Sequence, residues 1–268
     1  MCSLEFVSHG ENWLAGQLLK GVIAVMDSMS LSEPVPVNAT GHMSCICTEW
    51  MLSPLRRIFD FCGAALALIG LSPVFVIIAI AVHRSSPGPV LFRQRRMGRD
   101  GRTFVLYKFR SMQPGHDGSA ITILGDPRIT HIGARLRRHK LDELPQLWNV
   151  LKGDMSLVGP RPKLPHHEAL RLPCRPGITG AASLAFRDEE ALLSGLPGAE
   201  LEEIYERDVK PAKARLDLEY LRSATVTSDL KMIWMTAVSC LCVSKEMEVF
   251  HEGHRRDFAF IPFRGDAD

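Results

Sequence analysis

The sequence predicts a mixed α/β fold, mostly helical, in which a re-entrant membrane helix hairpin precedes a compact domain with a small sheet and interfacial helices. Residues 61–82 form an uncharged run interrupted only by Ser72-Pro73, the composition of a segment that enters a bilayer. Two short strand-like runs, 89–92 and 103–107, are bounded by Gly and Pro. Helical patterns recur at 129–139, 142–152 and 199–222.

Residues 1–50 read as an N-terminal extension. An amphipathic helix is expected over 11–27, with Trp13, Leu14, Leu18, Val22 and Val25 near helical spacing, followed by a Ser/Pro/Asn-rich stretch. This front carries five acids against one Lys and has no positively charged n-region, so it is not a secretory signal peptide. Its charge of −4 within an overall +2 leaves +6 on the remainder, so the basic charge is local. Met51 is a candidate true start. The seven cysteines (Cys2, Cys45, Cys47, Cys62, Cys174, Cys240, Cys242) are odd in number and show no paired CxxC spacing. They are read as reduced thiols, and no metal is assigned to them.

A straight helix over 61–82 would just cross a hydrocarbon core of ~30 Å at ~1.5 Å per residue. Pro73 removes a helical hydrogen bond near its middle and favours a kink. Arg56 and Arg57 precede the run while Arg84, Arg93, Arg95 and Arg96 follow it, so charge bias keeps both ends on one side. A hairpin broken at Ser72-Pro73 satisfies that symmetry, with a hydroxyl or water covering the freed carbonyl. Length and composition leave a kinked single span equally open. Near the other end, residues 232–243 are apolar but too short to span. They suit either the membrane interface, with Trp234 at headgroup level, or a core helix.

Between Arg84 and Arg110 stand eight basic side chains against the single acid Asp100. Directly after a membrane segment such a stretch suits anionic headgroups. It lacks the interleaved aromatic residues of a base-stacking platform, so no nucleic acid is expected. A second basic run, Arg128 to Lys140, ends abruptly at Asp142-Glu143. Pro145 fits only a first helical turn, which predicts a helix start near Asp142 and places both carboxylates at its positive end. Neighbouring carboxylates point to different faces, so one can attack a substrate while the other holds a metal or a proton. An acidic cap of an ordinary helix is the competing use of Asp142.

The surrounding motifs carry more information than any one residue. From Met51 to about Val243 the chain resembles the bacterial sugar transferases, in particular the small monotopic polyprenyl-phosphate phosphoglycosyl transferases. In order, the resemblance rests on Arg56-Arg57-Ile58-Phe59-Asp60, the Ser72-Pro73 break, Tyr107-Lys108-Phe109-Arg110-Ser111-Met112 and Asp126-Pro127-Arg128-Ile129-Thr130. It continues with Leu141-Asp142-Glu143-Leu144-Pro145-Gln146-Leu147, the run from Asn149 to Ser156, Val158-Gly159-Pro160-Arg161-Pro162 and Arg175-Pro176-Gly177-Ile178-Thr179-Gly180.

The resemblance implies a membrane-embedded broken helix over 51–83, a catalytic domain over 84–250 and a tail over 251–268, at the cytoplasmic face of a bacterial inner membrane. It implies transfer of a sugar 1-phosphate from a UDP-sugar to polyprenyl phosphate, with Asp142 as nucleophile, Glu143 beside it and Mg²⁺ held by Asp142 or Glu143. Membrane lipids are the remaining partner, and a homodimer is an open arrangement. Arg137 matches the family's phosphate-contacting arginine. Lys108, Arg110, Arg161 and Arg175 are further candidates for fork-like phosphate contacts, and the stiff Pro160-Arg161-Pro162 loop is associated with the uridine nucleotide. A non-catalytic membrane scaffold for polysaccharide assembly is the alternative. Two departures stand out. Lys140 occupies a position where the family has Ser or Thr, and residues 181–190 differ from the usual aromatic-Gln continuation, a region expected to shape sugar choice.

Overall fold

Helix formation begins ahead of the apolar run in the computed structural model, which describes residues 47–113, 122, 126–165, 172–193 and 198–241. The expected helix over 11–27, Cys2, Cys45, Cys242 and the tail over 251–268 lie outside the described residues. A short helix α1 (Glu49–Leu52) leads into α2 (Pro54–Gly70), where Ser53 accepts the Arg56 N–H and Pro54 takes the first position. Thr48 bonds the carbonyls of Leu221 and Ala224, so the packed body begins before Met51.

Helix α3 (Ser72–Ser85) leaves α2 at 64°. The cause is local. Pro73 has no N–H to give the Ile69 carbonyl, and the Ser72 hydroxyl donates to that oxygen instead, at 2.8 Å. Among the described residues no single helix is long and apolar enough to cross a membrane, and only this bent pair reaches that length together. One face of the pair is buried through Ala64, Ile78 and Val82, while Leu66, Ile69 and Ile77 face outward. Gly63 lets α2 press close, since a Cβ there would stand 2.8 Å from Leu157 Cδ1.

Strands β1 (Leu91–Met97) and β2 (Thr103–Phe109) form an antiparallel hairpin pairing Leu91 with Phe109. The first strand runs on through the arginines to Met97, because alternation turns Arg93 and Arg95 outward while Arg96 stays half-buried. Helix α4 (His131–Arg138) is capped by Thr130, and its Gly133 lies so close to Ser111 that a Cβ would meet the backbone oxygen at 1.9 Å.

The expected helix over 142–152 begins later. Leu141–Glu143 is one 3₁₀ turn entered through Lys140 at φ +54°, and α5 (Gln146–Lys152) starts after Pro145. Asp142 and Glu143 therefore sit on the turn before the helix rather than in its first turn. The α5 residue Asn149 accepts the Tyr107 N–H at 3.1 Å and donates to the Val105 carbonyl at 2.7 Å, so its amide stands in for a third strand along β2.

A second two-stranded sheet, parallel, pairs β3 (Ser156–Val158) with β4 (Gly177–Thr179), where one small sheet was expected. Short helices α6 (Ala181–Ala185), α7 (Glu189–Leu193) and α8 (Gly198–Ile204) follow. The long helix expected over 199–222 is α8, a π-helical turn at Tyr205–Val209 and α9 (Lys210–Ser223). Pro211 cannot bond the carbonyl four residues back, which loosens the ladder there. Helix α10 (Val226–Leu241) starts six residues before the apolar run, at a reciprocal Thr225–Ser228 cap, and exposes Leu230 and Trp234.

Arg56 and Arg57, counted above as charges flanking a membrane segment, are used inside the protein. Arg56 is 4% exposed and bonds the Val158 carbonyl, Ser156 and Tyr220, with Asp229 3.4 Å away. Arg57 covers the Val150 and Leu151 carbonyls at the end of α5. The two ends of the bent pair dock on one body, α2 against α5 and β3, and α3 against α4 and β2.

Candidate active site

Four elements deliver charge to one place. On β1 and β2, alternation turns Arg96 and Lys108 to the same side of the hairpin. The 3₁₀ turn delivers Asp142 and Glu143, and α4 delivers Arg137 from its last turn. The fourth is the Gly159-Pro160-Arg161-Pro162 loop, pinned by the Gly159 N–H to the Thr179 carbonyl and the Gly177 N–H to the Pro160 carbonyl. Gly159 stands at φ +159° against Arg175 and Gly177, where a Cβ would be 3.0 Å from backbone atoms. Pro160 and Pro162 are buried, and the Pro162 carbonyl accepts from Arg96.

Glu143 is the hub. Its Oε1 accepts from Lys108 at 3.0 Å and from Arg161 at 2.5 Å. Burial opposes its charge, but Arg161 and Lys108 win and hold the carboxyl well below the usual range. Arg161 is pushed up by Glu143 in turn. Lys108 is pulled down by burial against the help of Glu143, and Arg96 is lowered to about 10 by burial and by Arg161. Glu143 is thus a fixed anion inside a net of cations.

Asp142 differs. It is 4% exposed, and its Oδ1 is buried with no hydrogen-bond partner among the described residues. Burial pushes its carboxyl up, Lys108 opposes, Glu143 adds to the rise, and Arg137 and Lys140 pull it back. A desolvated carboxylate oxygen that makes no bond, ringed by cations, suits attack on an anionic electrophile. An ordinary helix cap would spend that oxygen on backbone N–H groups, and this one does not.

Among the described residues no three His, Cys, Asp or Glu side chains converge into a metal cage. The donors that are present fit a hard cation whose remaining ligands arrive as phosphate oxygens. Magnesium sites of that kind use only one or two carboxylates, and Asp142 Oδ1 is buried without a bond to give up.

The remaining expected site residues separate into two groups. Arg137 is beside Asp142, where it ion-pairs Glu190 at the start of α7 and keeps its Nε buried without a partner among the described residues. Arg110 and Arg175, expected as phosphate contacts, point elsewhere. Arg110 is 6% exposed and donates to the Val82, Pro89 and Ser86 carbonyls at the end of α3. Arg175 bonds the Gly153 carbonyl near Arg57 and Arg99. Sequence reasoning missed Arg96, Tyr205 and Lys213, and reached Glu190 only as the last residue of the 181–190 segment. Strand alternation with Lys108 could have found Arg96, whereas α7 gave no periodic signal. Lys213 bonds Glu189 and sits 5.4 Å over the Phe186 ring and 5.3 Å over Tyr205, which burial and Glu189 push up to about 12.

Comparison with known proteins gives the family. A family model described as bacterial sugar transferase matches residues 51–242. The UDP-glucose:undecaprenyl-phosphate glucose-1-phosphate transferase of Xanthomonas campestris pv. campestris is 44% identical over 193 residues, 66% of this chain and 37% of that protein. The protein of the same name from Escherichia coli strain K12 is 42% identical over 195 residues, 68% of this chain and 39% of its own. The chain thus spans well under half the length of these two relatives. The exopolysaccharide production protein PSS of Rhizobium leguminosarum bv. phaseoli is 38% identical over 211 residues, 71% of this chain and 97% of its own length. With residues 51–242 matched, most of its length, the chain belongs to the bacterial sugar transferase family.

Proposed function

We propose that the protein transfers a sugar 1-phosphate from a UDP-sugar to polyprenyl phosphate through a covalent aspartyl intermediate on Asp142. The observation that carries this reading is the buried, unbonded Asp142 Oδ1 beside a Glu143 already neutralised by Lys108 and Arg161. The carboxylate oxygen bonds the sugar-proximal phosphorus, the bond from that phosphorus to the bridging oxygen breaks, and UMP departs with the electron pair. An oxygen of polyprenyl phosphate then attacks the same phosphorus, freeing Asp142 and giving a polyprenyl diphosphate sugar.

Repulsion is the obstacle, at roughly 4 kcal/mol for two unit charges ~4 Å apart at an effective dielectric of ~20. Lys108, Arg137 and Arg161 offset it. Mg²⁺, held by Asp142 or Glu143 together with the pyrophosphate oxygens, would supply further charge neutralisation. The names of the two UDP-glucose relatives make UDP-glucose the first donor to try. The assay supplies Mg²⁺, polyprenyl phosphate and a panel of UDP-sugars. UMP release from at least one is expected, and none from any would favour the scaffold reading.

The same reading places the bent α2–α3 pair in one leaflet at the cytoplasmic face of the inner membrane, with α10 and Trp234 at the interface. The docking of both ends on one body supports it, as does the Ser72 hydroxyl over the Ile69 carbonyl. Cysteines introduced at Ser53 and Ser86 are both expected to resist impermeant thiol reagents applied from the periplasmic side, judged against Cys62→Ser background. Labelling of either one alone means a span.

A further inference from the structure

Arg137 already has an anion. It ion-pairs Glu190 from α7, and Glu189, one residue earlier, bonds Lys213 on α9 at 2.5 Å. Two carboxylates from the segment that departs from the family pattern thus lie over the cationic side of the site. Arg137 Nε remains buried without a partner among the described residues, as does Asp142 Oδ1. An arginine whose fork is half used, next to a carboxylate that bonds nothing, is a phosphate site held in waiting.

We propose that Glu190 is a further residue of the substrate site, a carboxylate that occupies Arg137 in the free protein and yields it to a phosphate of the nucleotide diphosphate. This rests on reading the site as one for a nucleotide sugar. Glu190 then has two consequences. It keeps Arg137 from standing uncompensated in a largely desolvated place, and it competes with every incoming anion, so it sets the affinity for substrate rather than the rate of the chemical step. Glu189, tied to Lys213 and lying within electrostatic reach of Arg161, keeps α7 close enough for Glu190 to return when product leaves.

The test is binding of UDP, without acceptor, to the full-length purified chain, measured by titration calorimetry for the wild type and Glu190→Gln. The variant keeps the side chain's shape and removes its charge. The pair is about a quarter exposed on average, so its worth is at the upper end of the ~1 kcal/mol typical of such contacts. UDP is therefore expected to bind Glu190→Gln about fivefold more tightly. KM for the UDP-sugar should fall in step while kcat stays within about twofold, and 1 M NaCl should shrink the difference. Glu190→Ala should move affinity in the same direction. Unchanged or weaker UDP binding in Glu190→Gln, with the wild type turning over normally, overturns the role of Glu190 and leaves the enzymatic reading standing. Tighter binding with no turnover of any UDP-sugar by the wild type does the reverse, removing the enzymatic reading and supporting the anion exchange at Arg137.

Discussion

Asp142→Asn is expected to lose UMP release by at least about 10⁴-fold while the protein stays folded. The variant keeps the size and planarity of the side chain, so Glu143, Lys108 and Arg161 retain their contacts. On the proposed mechanism, what disappears is the attacking charge. The free-energy consequence for folding runs the other way. Burial holds the Asp142 carboxyl above its usual range, so the native state keeps its proton at pH values where the unfolded chain has released it. Stability attributable to this group therefore declines as pH rises from the ordinary Asp value of about 3.9 through the raised native one. Asn carries no such cost. Its unfolding temperature at pH 7 should equal or exceed that of the wild type.

The same shift predicts the acid limb of kcat/KM, which reports the free enzyme. It should lie above 3.9 in the wild type and move further up in Lys108→Met, since Lys108 is the strongest of the cations pulling the Asp142 carboxyl down. Residual turnover within tenfold of wild type, or a fall of several degrees in unfolding temperature, would sink the nucleophile assignment for Asp142.

What the sequence could tell depended on how local the information was. The Ser72-Pro73 break was legible because proline's missing N–H and the serine hydroxyl act within one helical turn. The Asp142-Glu143 pair and the Pro160-Arg161-Pro162 loop were legible as short motifs, and the structure brings them together. The later helix start was not, because Lys140 takes up positive φ and turns the chain before Pro145 can begin a helix. Arginines were the least legible of all. Arg57, Arg110 and Arg175 are spent on backbone carbonyls and Arg56 on a carbonyl and three side chains, all contributed by distant segments, and nothing in their neighbours along the chain distinguishes that use from a phosphate contact. Charge counting treated Arg56 and Arg57 as exposed flanks. The burial of Arg56 and the half-burial of Arg57 transfer the case for a hairpin from charge bias to the docking of both helix ends.

Arg56→Met is expected to cost about 3–5 kcal/mol, the range for removing one partner of a buried pair. Arg56 is 4% exposed and Asp229 1%, and the network between them ties α2 to β3, α9 and α10. Around Asp229, Tyr220 donates to one oxygen and Trp50 to the other, at 2.9 Å. Asp60 holds the Ser156 hydroxyl and the Leu157 N–H on the far side. Met fills the space but leaves Asp229 without its cation and the Val158 carbonyl without its donor. That is a large part of the ~5–15 kcal/mol that keeps a protein folded. At about 2–4 °C per kcal/mol for a domain of this size, the unfolding temperature should drop by about 10 °C. Arg57→Met, which uncovers two carbonyls at a helix end, should cost about 1–2 kcal/mol. Replacing both charges, in Arg56→Met with Asp229→Leu, should recover part of the loss, since Asp229 then no longer stands as a buried carboxylate without its cation. A single Arg56→Met variant as stable as Arg57→Met would mean that the bent helix pair is held by apolar packing of Ala64 and Val82, and that the buried ion pair contributes little.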